Sequence, residues 1–151
     1  MLGVDRGHYS PALPYQDSPQ LIGFSATISA PHMHAAAAES LLPFLYPGAK
    51  VLDIGSGSGY LTHVLSKLVC VEGEGSVIGI DHIQNLVDLA KNNLRKSEDG
   101  KEMLSNGKVK IVKGDGRKGW AEGGPYDAIH VGAAAAEAHP PLLDQLKSPG
   151  R

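Results

Sequence analysis

Several features that would tie a chain to an oxidising compartment, a nucleic acid or a bilayer are missing here. A single cysteine, Cys70, among 151 residues excludes an internal disulfide and fits a reducing compartment. The charges nearly cancel, leaving a formal −2, so there is no electrostatic reason to expect a nucleic acid or an acidic membrane as partner. No apolar run approaches the roughly 20 residues of a membrane-spanning helix. The stretch from Met1 to Pro14 is polar and proline-broken where a secretory signal would be apolar. Metal-ligand clusters are scarce as well. His32 and His34 are two positions apart and do not share a helix face, and no cysteine or acidic group joins them, so no metal is expected. With 42% hydrophobic and 20% charged residues, the composition is that of one cytosolic domain, residues 1–151, large enough to bury a core.

What is present is alternation. Residues 1–30 carry scattered proline and glycine with no sustained period and predict an extended N-terminal arm with at most a short strand or turn. Pro31 suits the first position of a helix, and Met33, Ala37, Leu41 and Phe44 follow at helical spacing, although Pro43 should end or kink that helix. From Lys50 the chain reads strand, turn, helix, repeatedly. Val51, Leu52 and Ile54 form a buried strand, and Leu61, Val64, Leu65 and Leu68 the stripe of the next helix. Val77, Ile78 and Ile80 form a second strand, and Ile83, Leu86, Val87, Ala90 and Leu94 a second stripe. Residues 96–107 read as a charged connection. Val109, Ile111 and Val112 give a third strand, residues 126–131 a fourth, and residues 140–147 a last short helix. The alanine run from Ala133 to Ala136 reads as a loop or short helix. Such alternation predicts an α/β fold, a doubly wound and mostly parallel sheet with helices on both faces over residues 31–151.

In sheets of this kind a ligand binds beyond the carboxyl ends of the strands. Gly55, Gly57, Gly59, Asp81, Asp115 and Gly132 all fall at those ends and should converge on one crevice. The glycine register discriminates among ligands. A dinucleotide fingerprint places its last glycine where Tyr60 stands, and no lysine–serine/threonine pair follows to hold a triphosphate. Asp53 at the mouth of the turn is awkward beside a pyrophosphate and suited to a cation. Asp81, ending the next strand, can accept both hydroxyls of a ribose. A ligand with a ribose, an ammonium group and no phosphate fits S-adenosylmethionine better than NAD. Capping offers a plainer role for both acids, Asp53 to the turn and Asp81 to the following helix. His130, in a predicted buried strand, reads as a hydrogen-bonded core histidine, and His8, His63 and His139 carry no signal.

The motifs resemble a known family. Residues 51–59, Val-Leu-Asp-Ile-Gly-Ser-Gly-Ser-Gly, look like the first motif of class I methyltransferases, whose fold is a Rossmann-like three-layer sandwich. Residues 23–34, Gly-Phe-Ser-Ala-Thr-Ile-Ser-Ala-Pro-His-Met-His, resemble the stretch peculiar to protein-L-isoaspartate (D-aspartate) O-methyltransferases. Residues 79–82, 114–117 and 125–132 match the same family in the same order, as do Tyr9, Pro14-Tyr15 and Asp17-Ser18-Pro19. The resemblance implies S-adenosyl-L-methionine as cofactor and isoaspartyl-containing proteins and peptides as substrates, methylated on the free carboxylate as a first step of repair by a cytosolic monomer. It implies Ser29 as the active-site serine, with Ala26, Thr27, Ile28 and His34 in the segment closing over cofactor and substrate. Asp53, Gly55, Ser56, Gly57 and Gly59 would pass along the methionine part of the cofactor, Asp81 would take the ribose hydroxyls with His82 beside it, and Asp115 and Gly116 would hold the adenine edge. From spacing alone, Ser29 reads as a helix cap.

The chemistry expected is undemanding in protons. A carboxylate of pKa near ~4 is ionised at neutral pH, so no general base is needed, and alignment can supply on the order of 7–11 kcal/mol. Ser29 and the N-terminal N–H groups of the Pro31 helix are expected to hold the substrate carboxylate. Relative to the family, a helical segment before Met1 and the last strands after Arg151 are expected to be missing. The strand at residues 128–131 should then be an apolar edge with unpaired backbone groups, and the chain less stable and weakly active, or a binding module without activity.

Overall fold

The computed structural model describes residues 3–133 and 139–151, so Ala134, Ala135 and Ala136 of the alanine run lie outside the described residues. Four parallel strands form the central sheet: β3 (Lys50–Ile54), β4 (Ser76–Asp81), β5 (Val109–Lys113) and β6 (Ala128–Val131), in spatial order β5-β4-β3-β6. An antiparallel pair, β1 (Gln20–Gly23) and β2 (Ala26–Ile28), precedes them. The helices are α1 (Pro31–Leu41), α2 (Tyr60–Val69), α3 (Gln84–Leu94), α4 (Glu98–Ser105) and α5 (Pro140–Asp144). The chain walks outward from β3 to β5 and returns to the other side of β3, so the strand order reverses at β3. The ligand crevice of such a sheet lies at that reversal.

Successive residues of a strand face opposite sides, and the two cores follow that parity. Val51, Val77, Val109 and Ile111 pack with Leu61, Leu65, Val87 and Leu94 of α2 and α3 on one face. Leu52, Ile54, Ile78 and Ile80 pack with Tyr126 and Leu142 on the other. Gly79 sits mid-strand in β4 because a Cβ there would stand 2.9 Å from both Ile111 Cδ1 and Ser56 Cβ.

Four expectations are corrected. The arm is not loose: Val4, Tyr9, Ile22 and Ile28 join the core that holds α2 and α3, and its second half is the β1–β2 hairpin. The charged connection contains α4, started by the Ser97 hydroxyl accepting from Gly100 N–H. The last helix stops at Asp144. The outer edge of β6 is paired for part of its length: Ile129 N–H donates to Arg151 O at 2.8 Å, and Arg151 N–H to Asp127 O at 3.2 Å. Tyr126 forms a further parallel bridge with Leu146. No helix among the described residues is long and apolar enough to cross a membrane.

Candidate active site

The turn after β3 is built by backbone. Gly55 and Ser56 N–H donate to Ile80 O at 2.9 and 3.0 Å, binding the turn to the neighbouring strand. Gly55 and Gly59 take φ of +79° and +87°, a left-handed conformation that a side chain would strain. Gly59 is the N-cap of α2 and lies against Ala90, where a Cβ would be 3.0 Å from that methyl group. Asp81, at the end of β4, accepts from Gly57 N–H through Oδ2 and from Ile83 N–H through Oδ1, both at 3.1 Å. It therefore ties the turn to Ile83, just before α3, but does not cap that helix, whose N-cap is Ile83 without a side-chain bond, and it remains in the wall of a cavity.

Two cavities meet at Gly55. The larger, about 750 Å³, lies beyond the ends of β3, β4 and β5 and is lined by Asp81, His82, Asp115 and Gly116, together with Ile54, Ile80 and Leu142. The smaller, about 50 Å³, is lined by Thr27, Ile28, Ser29, His34, Asp53, Ser56 and Gly57. Ala26 and Gly59 line neither of the two. The structure thus brings two groups of residues, distant in sequence, to either side of one glycine.

Several side chains are not free in the way the spacing suggested. Asp53 is buried, with Oδ2 accepting from the Thr62 hydroxyl at 2.6 Å and Oδ1 2.8 Å from His130 Nδ1. An ionised carboxylate only accepts, so His130 carries a proton on Nδ1. Burial works against the imidazolium, but Asp53 prevails and raises the His130 pKa. Asp115 is held by Arg117 through both oxygens, at 2.9 and 2.8 Å, and its pKa is lowered to about 2. Ser29 does not cap α1: the N-cap is Ala30, without a side-chain bond. Nor is the first turn of α1 open to an anion, since Asp17 accepts from both His32 N–H, at 3.0 Å, and the His32 ring, at 2.8 Å. Among the described residues no cluster of three or more His, Cys, Asp or Glu could hold a metal.

Sequence reasoning missed other polar groups. Arg6 is buried and reaches both His34 and the Ser29 carbonyl. Tyr9 places its hydroxyl 2.6 Å from His63 Nδ1, and His63 Nε2 lies 3.3 Å from Asp99, which also pairs with Lys67. Burial raises the Tyr9 pKa and lowers that of His63. No periodicity links these pairs; the arm brings Arg6 and Tyr9 against α1 and α2, and α4 brings Asp99 to α2.

With this geometry in hand, the comparisons with known proteins are decisive for the family. The model of the protein-L-isoaspartate(D-aspartate) O-methyltransferase family matches residues 1–151. The chain belongs to this family. It is 52% identical over 151 residues to the protein-L-isoaspartate O-methyltransferase of Caenorhabditis elegans, covering all of this chain and 65% of the relative. It is 51% identical over 153 residues to protein-L-isoaspartate O-methyltransferase 2 of Arabidopsis thaliana, covering all of this chain and 48% of that one. The chain thus spans between about half and two thirds of the length of these relatives. A Plasmodium falciparum structure assigned to the same enzyme, in complex with S-adenosyl-L-homocysteine, superposes with a TM-score of 0.89 at 37% identity, over 97% of this chain and 69% of that one. The family resemblance and the Rossmann-like α/β fold drawn from the motifs are borne out.

Proposed function

We propose that this chain binds S-adenosylmethionine in the larger cavity and takes part in methyl transfer to the free carboxylate of L-isoaspartyl and D-aspartyl residues in damaged proteins. The observation that carries the reading is the junction at Gly55. A roomy cavity with a carboxylate at a strand end adjoins a narrow one lined by Ser29 and His34, from the segment peculiar to the family.

The residues present suit the cofactor. Asp81 lies at the ribose position expected of an acid ending the second strand of such a sheet. At Gly55 a Cβ would lie 3.3 Å from Ala133 N, so the absent side chain keeps this wall thin. The Ser56 hydroxyl is buried without a hydrogen-bond partner. S-adenosylmethionine, when bound, supplies a methyl group on a cationic sulfur.

The protein's own task is positioning. The acceptor carboxylate arrives ionised. Ser29 is half-buried, and its hydroxyl makes no hydrogen bond among the described residues, so it can donate to that carboxylate. The Asp53–Thr62–His130 set braces the floor between the cavities and stays out of proton transfer. Because Asp17 occupies the start of α1, the carboxylate is held by side chains and not by the helix end. The reading places the protein in the cytosol as a monomer acting on isoaspartyl proteins and peptides.

Two measurements test it. Calorimetry with S-adenosylhomocysteine should show one site, and an isoaspartyl peptide should accept labelled methyl from S-adenosylmethionine, more slowly with Ser29→Ala. Absence of nucleoside binding overturns the reading; binding without transfer reduces the chain to a binding module.

A further inference from the structure

Arg6 is the most unusual charge in the molecule. It lies in a 3-10 turn (Arg6–His8), and its side chain is buried beneath the face of Tyr60, with Cζ 5.1 Å from the ring centroid. Nη2 donates to the Ser29 carbonyl at 2.6 Å, Nη1 lies 3.0 Å from His34 Nδ1, and Nε is buried without a partner. No carboxylate among the described residues lies within ion-pair distance of it, and Asp17 acts only from further away. A buried guanidinium without a counter-ion is costly, and structures normally pair it.

The contact with His34 has a chemical consequence. Guanidinium N–H groups donate and never accept, so His34 Nδ1 must be the acceptor. A neutral imidazole accepting at Nδ1 carries its one hydrogen at Nε2, and no group among the described residues takes up that nitrogen. His34 lines the small cavity with Ser29. We infer that Arg6 is a positioning residue which locks His34 as the neutral Nε2–H tautomer, so that His34 and Ser29 together present donors to an anionic acceptor carboxylate. This rests on the reading above for the identity of the anion, but the tautomer itself does not.

The surroundings agree. Tyr60 packs on His34 at 5.2 Å between centroids, and the charges facing the ring are Arg6, Asp53 and, when protonated, His130. Burial first, and then Arg6, hold the His34 pKa down to about 4, against a small opposing pull from Asp53. The ring therefore stays neutral and cannot compete with the acceptor for its proton.

Nitrogen-15 correlation spectra of His34 across the acid-to-neutral range test the inference directly. Wild type should show the Nε2–H pattern down to a midpoint near pH 4. Arg6→Met should mix the tautomers and raise the midpoint part of the way, since burial still holds it below the free value. Arg6→Lys, still a cationic donor, should restore the wild-type pattern. In the peptide assay Arg6→Met should raise KM for the isoaspartyl peptide about tenfold or more, with S-adenosylhomocysteine affinity unchanged. An Nδ1–H pattern in wild type overturns the proposal, as does an unaltered tautomer and KM in Arg6→Met. If Arg6→Met does not fold, the wild-type and Arg6→Lys spectra still decide. If wild type transfers no methyl group, the proposed function fails while the tautomer pattern stands or falls by itself.

Discussion

Asp53 and His130 face each other in register across β3 and β6, with Asp53 Oδ1 2.8 Å from His130 Nδ1. The bond pairs a buried carboxylate with a half-buried imidazole at the place where the strand order reverses, so it supports the sheet and the cavity floor at once. His130→Ala should cost about 1–3 kcal/mol by leaving one carboxylate oxygen without its partner. Because Asp53 raises the His130 pKa, this stabilisation is fully present below the unfolded value of about 6.5 and fades as pH rises through the folded one. Urea denaturation of both proteins on either side of neutrality should show the larger gap in acid.

His34 works in the opposite sense. Its folded pKa, about 4, lies below the unfolded value of about 6.5, so between the two the unfolded chain binds more protons. Stability should therefore fall as pH drops through this window, by on the order of 3 kcal/mol from this site. The buried His63, also lowered, adds to the trend. A His34→Gln variant, which keeps an acceptor for Arg6, should show a flatter pH dependence of its urea midpoint.

Asp81→Asn removes charge but keeps a carbonyl oxygen for Gly57 or Ile83. One of those N–H groups then faces an amide NH2, and the proposed ribose site loses an acceptor. A rise of about tenfold or more in the Kd for S-adenosylhomocysteine is expected, with a stability loss near ~1 kcal/mol. Calorimetry and thermal denaturation read the two effects separately.

Gly116→Ala places a methyl group inside the van der Waals shell of Ile54 Cγ2. Ile54 is β-branched and packed in the second core, so it can give way only by distorting the cavity wall it shares with Gly116. Overpacking of this kind costs about 1–3 kcal/mol. The variant should also bind S-adenosylhomocysteine more weakly, and a substitution that leaves both quantities unchanged would show that this wall yields freely.

The parts of the fold that could be read in the sequence are those written in neighbouring residues. Strands β3 and β4 announce themselves as apolar runs, and α2 and α3 as stripes, because each buries one repeating face. Helix α4 escaped because half of its residues are charged and Gly100 interrupts them; a Cβ at Gly100 would clash with Leu94 O, so tertiary packing chose that glycine against helix propensity. The β1–β2 hairpin escaped because Phe24 and Ser25 turn with φ of +53° and +56°, a left-handed bend that their residue types do not advertise. The same division holds at the site. Gly55, Gly57 and Asp81 are legible from strand ends and spacing. Arg6 and His34, 28 positions apart, and Asp17 and His32, 15 apart, meet only through the packing of the arm. The His63 link to Tyr9 spans 54 positions and had no local trace.

That packing makes residues 3–10 part of the core that holds α2. Val4, Arg6, Tyr9 and Ser10 are buried, whereas Pro11, Ala12, Leu13, Tyr15, Gln16 and Asp17 form an exposed connection outside any helix or strand. A protease should therefore nick the connection before it reaches either flank. The segment on the amino side of the nick would stay docked, with Tyr9 still seated under α2 and Arg6 against α1. The nicked protein would behave as a two-chain complex, its tautomer lock supplied in trans.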